Sequence, residues 1–139
     1  MIALVVLLVV IVATLGAGML LRARSGTFRA VDAGDAAPEP DPVLAAVGVG
    51  VGVPVVLHFS ASWCGPCAAV RRVVTQVLDT APGSARDVEL DLDENPLPAR
   101  KLGVLSLPTT FVFDGAGRER FRASGVPTAE DLRTALASL

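Results

Sequence analysis

The chain is poor in the side chains that bind metals and nucleic acids. Its 139 residues include two cysteines and a single histidine, His58. A structural zinc site takes about four ligands, mostly cysteine and histidine. An intramolecular metal centre would have to recruit carboxylates, and none is expected. Aromatic residues make up 4% of the chain and the formal net charge is −2. Without a basic patch interleaved with aromatics, no nucleic-acid partner is expected either. The run Val47–Val53 alternates valine with glycine, but no lysine or serine stands in register to cradle a phosphate. It reads as a loop entering a strand. Glu89, Asp91, Asp93 and Glu94 fit the solvated face and end of a strand better than a cation site.

Charged side chains are missing altogether from Met1 to Leu21. At about 1.5 Å per helical residue that run reaches about 30 Å, the thickness of a bilayer core. No basic stretch precedes it, and it is longer than the apolar core of a cleaved signal. Residues 1–21 are therefore expected to be an uncleaved, single-pass anchor in the cell membrane. Arg22, Arg24 and Arg29 follow it, whereas only the α-amino group precedes it. The positive-inside rule then places the C-terminal side in the cytoplasm. Residues 22–42 read as a basic juxtamembrane segment and an acidic, proline-rich linker. Within them, Gly26–Val31 is either a first strand or an interfacial stretch with Phe28 at the headgroups. Residues 43–139 remain for one domain with one core.

Both cysteines lie in Trp63-Cys64-Gly65-Pro66-Cys67. Two thiols at this spacing can close into a disulfide with little backbone movement and so carry two electrons reversibly. Upstream, Pro54–Phe59 is an apolar, β-branched run that reads as a buried strand. Downstream, Val70, Val73, Val74, Val77 and Leu78 recur at helical spacing, opposite Arg71, Arg72 and Gln76. The motif thus sits where a strand passes into a helix, and a helix N-terminus favours an anion such as a thiolate. Cys64, at the junction, is expected to be the attacking thiolate. Cys67, one turn inside the helix, is expected to be covered and to act as the resolving thiol. Gly65 leaves the turn uncrowded, and Pro66 suits an early helical position where a missing N–H costs little.

From about residue 43 onward the chain resembles the thioredoxin family. Val88–Asp93 resembles a central strand, Ala99–Val104 a short helix with a glycine exit, and Leu107-Pro108-Thr109-Thr110 the family's proline followed by a strand. Gly115–Gly117 reads as a hairpin turn leading to an edge strand at Arg118–Arg122. Thr128 and Asp131 read as a capped start to a last helix with Leu132, Leu136 and Leu139 on one face. The interval from Cys67 to Pro108 leaves no room for the insertion found in exported relatives that serve cytochrome maturation.

The resemblance implies an α/β thioredoxin fold, a central mixed sheet flanked by helices, here preceded by one transmembrane helix. It implies a thiol–disulfide oxidoreductase with no cofactor beyond the Cys64–Cys67 pair. Its partners would be protein disulfides together with a reductase or membrane electron donor, and its soluble domain would be monomeric. The Gly-Pro between the cysteines resembles reducing members. Pro108 is expected to be cis beside the cysteines, leaving the Leu107 backbone free to pair with a substrate chain. Trp63, Gly65, Pro66 and Gly125 complete the substrate surface. His58 stands where the family usually has a buried aspartate that serves the second thiol, so it is either a proton relay or core packing. Other outcomes are an exported disulfide relay or oxidant, and a non-catalytic binding module at the membrane.

Overall fold

A computed structural model describes residues 1–23, 25–32, 39 and 41–139, without the side chains of 22 and 23. Arg24 and most of the acidic, proline-rich linker lie outside the described residues. Helix α1, Ile2–Ala23, carries a 20-residue stretch of mean hydropathy 2.9, none of it covered by the other described residues. It is long and apolar enough to cross a membrane.

The remaining elements are β1 (Arg29–Ala30), α2 (Pro42–Ala46), β2 (Val55–Ser60), α3 (Cys67–Thr80), β3 (Arg86–Asp91), α4 (Pro96–Lys101), β4 (Thr109–Phe113), β5 (Glu119–Ser124) and α5 (Ala129–Ala137). The strands form one mixed sheet in the order β1-β5-β4-β2-β3. Strands β2 and β3 run parallel, and the other neighbours are antiparallel. Every residue of β2 is buried. Alternation sends Val55, Leu57 and Phe59 to one face, where they meet Leu44, Ala99, Leu102, Phe111 and Phe113. Val56 points to the other face, against Val70, Val74, Val77, Val112 and Leu132. The valine stripe of α3 thus covers one side of the sheet, as its spacing predicts.

Strand placement differs from expectation at both margins. The acidic segment forms the edge strand β3, starting at Arg86, and is not central. Charge suits such an edge, because it discourages a further chain from pairing there. Strand β5 is not an edge, since β1 pairs with it through Arg29↔Arg122 and Ala30↔Phe121. Gly26–Val31 therefore contributes a strand and not only an interfacial stretch. Asp41, at the end of the expected linker, caps α2 by accepting from the N–H groups of Val43 and Leu44. It also pairs with Lys101 at 2.7 Å. At the C-terminus, Thr128 caps α5 and Leu132 is fully buried, but Leu139 falls beyond the helix and is 37% exposed.

Candidate active site

The dithiol sits at the C-terminal end of β2, where the chain turns into α3. Cys64 and Cys67 are joined as a disulfide, with Sγ–Sγ 2.00 Å and Cα–Cα 5.6 Å. Regular α-helix begins at Cys67, with Pro66 as the N-cap residue, so Cys67 is not one turn inside the helix. The reason is a tightened first turn. The N–H of Cys67 donates to Cys64 O at 3.3 Å and that of Ala69 to Pro66 O at 3.0 Å, both three residues back. Coverage of the two sulfurs nevertheless differs as expected. Cys67 is 1% exposed, with its Sγ 3.8 Å from the carbonyl oxygen of Phe59, whereas Cys64 is half-buried.

Around the pair, Gly65 and Pro66 are exposed and Trp63 is 66% exposed. The Trp63 indole N–H donates to Asp93 Oδ2 at 3.4 Å. The Leu107–Pro108 peptide bond is cis. Pro108 is buried, and the backbone of Leu107 has no backbone partner among the described residues. The N–H of Gly125 donates to Pro108 O at 2.8 Å, which ties the end of β5 to the start of β4.

His58 is 1% exposed and shares a sheet face with Val56, on the α3 side. Its Nε2 lies 3.0 Å from Asp87 Oδ1. A carboxylate accepts, so Nε2 donates to it, and in the neutral ring Nδ1 is then the acceptor nitrogen. Among the described residues Nδ1 has no hydrogen-bond partner, nor has Oγ1 of Thr110, the residue directly opposite His58 on β4. Sequence reading missed Asp87. It began the strand at Val88, and the diagonal placement that brings Asp87 to His58 appears only with the β2–β3 register.

Glu89, opposite His58, is held by Arg71 of α3 through bonds of 2.8 and 2.9 Å. Burial pushes the Glu89 carboxyl up, but the Arg71 bonds and the nearby Ser60 hydroxyl outweigh it and hold the group below its ordinary value. Among the described residues no cluster of three His, Cys, Asp or Glu is placed to hold a metal ion.

A dithiol that closes within one turn, at a helix start and at the same end of the sheet as a cis proline, defines a thiol–disulfide exchange site. Comparison with known proteins agrees. The thioredoxin family model matches residues 51–138. A thioredoxin of the cyanobacterium Synechocystis is 38% identical over 86 residues, covering 62% of this chain and 76% of the relative. Thioredoxin 1 of Nostoc is 37% identical over 75 residues, covering 54% and 70%. Among solved structures, chloroplastic thioredoxin z superposes with a TM-score of 0.61 at 27% identity, covering 71% of this chain and 89% of that one. The chain belongs to the thioredoxin family, and it is a thioredoxin-like thiol–disulfide oxidoreductase.

Proposed function

We propose that the protein is a membrane-anchored reductant of protein disulfides in which Cys64 attacks and Cys67 resolves. The observation that carries this reading is the unequal burial of the two sulfurs, with the half-buried one just ahead of a helix N-terminus. In the reduced protein the Cys64 thiolate attacks one sulfur of a substrate disulfide. A mixed disulfide forms, and the other substrate sulfur leaves as a thiolate and takes a proton. The Cys67 thiol then gives up its proton and attacks Cys64 Sγ, which releases the second substrate thiol. Two electrons and two protons pass to the substrate, and the Cys64–Cys67 disulfide remains. A reductase or a membrane electron donor restores the dithiol, and no organic cofactor takes part.

His58 is assigned the proton of Cys67. Its Nδ1 is a free base on the face of the sheet that α3 covers, and Asp87 orients the ring from the other nitrogen. Leu107 offers its unpaired backbone to an extended substrate chain, alongside Trp63, Gly65, Pro66, Pro108 and Gly125. Residues 1–21 anchor the chain in the cell membrane, 22–42 connect, and 43–139 form the thioredoxin domain. The arginines after the anchor place the domain in the cytoplasm.

Trapping tests the assignment. Cys67→Ser is expected to accumulate mixed disulfides through Cys64, and Cys64→Ser to accumulate none and to lose exchange. Trapping through Cys67 in the Cys64→Ser protein would reverse the roles. Full cellular function with both cysteines replaced would dismiss the enzymatic reading.

A further inference from the structure

The join between α1 and the sheet is made at the redox end of the domain. Strand β1 runs antiparallel to β5, so residues preceding Arg29 travel towards the C-terminal end of β5. That end carries Gly125, which is bonded to Pro108, and it is the same end of the sheet from which the cysteines project. The contact continues past the strand. The N–H of Gly26 donates to Ser124 O at 2.6 Å, and Gly26 is buried.

Two glycines interlock there. A Cβ on Gly26 would strike the carbonyl oxygen of Val126, and a Cβ on Gly125 would strike the Ser25 hydroxyl. Both have positive φ, 88° and 91°, which glycine adopts without strain. Ser25 and Gly26 are thus seated on the loop that borders the active-site proline. From Leu21, the end of the apolar run, to Gly26 the chain spans at most about 18 Å even fully extended. A domain of about 100 residues measures roughly 35 Å across.

We propose that the anchor holds the redox face of the domain towards its own membrane, so that the exchange partner is a cysteine pair of an integral membrane protein at the bilayer surface. The inference rests on the reading of residues 1–21 as an anchor, and it holds for either side of the membrane. One further feature fits it. Trp63 and Leu105, 66% and 97% exposed, lie at this end of the sheet and offer apolar surface to a partner emerging from lipid.

Trp63 is the only tryptophan in the chain and adjoins Cys64, so its emission reports where the dithiol lies. The full chain, reduced, would be reconstituted into phosphatidylcholine vesicles carrying a dansyl headgroup acceptor. It would be compared with a variant holding 20 Gly/Ser residues inserted between Arg24 and Ser25. The insertion leaves β1 and Gly26 in place while adding about 25 Å of mean reach. Energy transfer from Trp63 is expected to fall by at least about half in the spaced variant, given that added reach. Exchange with a disulfide peptide fused to a transmembrane helix should fall with it, while exchange with a soluble disulfide should not. Equal transfer from both proteins, each floating with the vesicles, would overturn the orientation. Failure of the native chain to float with vesicles would instead remove the anchor reading beneath it.

Discussion

The two faces of β2 are built to different rules. Val55, Leu57 and Phe59 enter a cluster with Phe111 and Phe113, and the buried hydroxyl on that face, Thr109, is bonded to Ser106 O. Val56 and His58 enter the other side, where a buried histidine and the Thr110 hydroxyl lie beneath α3 with two polar atoms unpartnered. A buried donor or acceptor left unpaired costs about 1–3 kcal/mol. A sheet selected for stability alone would carry aliphatic side chains on both faces. The difference shows where stability is made and where it is given up, and the side that gives it up is the side that α3 covers.

Breaking the apolar face should have the largest effect on stability. Phe111→Ala removes a fully buried ring that packs edge-on against Phe59 at 6.0 Å between centroids. A loss of about 3–5 kcal/mol is expected. It would be read by denaturant unfolding, with the exchange rate per folded molecule unchanged. On the other face the two readouts should separate. His58→Leu removes an unpaired polar atom together with one bond to the partly exposed Asp87, so stability should change little. The release step governed by Cys67 should slow by up to about 100-fold, the scale of a lost general base. Loss of stability with an unchanged rate would make His58 core packing after all.

A smaller effect sharpens the comparison at its margin. Glu89 has a folded-state carboxyl held below its ordinary value. Its contribution is therefore present above the unfolded-state value and is lost as the pH falls through the folded one. Glu89→Gln should flatten the acid side of the stability curve, which unfolding midpoints at a series of pH values would show. The effect is modest, because the Arg71 partner is 53% exposed and screened by water.

Much of this was legible in the sequence, wherever contiguous residues carried the pattern. The dithiol, the valine stripe of α3 and the Thr128 cap are local arrangements that lie where their spacing put them, and the cis proline before β4 lies where the family resemblance put it. What was not legible depends on pairing between distant strands. Alternation in Val88–Asp93 shows that one face is wet, not whether a further strand lies beyond it. The Asp87 contact with His58 needs the β2–β3 register. The seat of Ser25 and Gly26 on Gly125 joins residues a hundred positions apart, and each glycine taken alone reads as a loop residue. The start of α3 shifted for a different reason, the tight turn through Pro66.

The most direct test of the account follows the release step against pH. Single-turnover resolution of a Cys64 mixed disulfide would be measured in the full chain, in His58→Ala and in Asp87→Asn. The groups facing His58 are Asp87 and Glu89 on β3 and Thr110 on β4, with Arg71 of α3 acting through Glu89. The account predicts that resolution slows in His58→Ala and, by less, in Asp87→Asn, with the three rates converging at alkaline pH where Cys67 ionises unaided. Three superimposable profiles would contradict it.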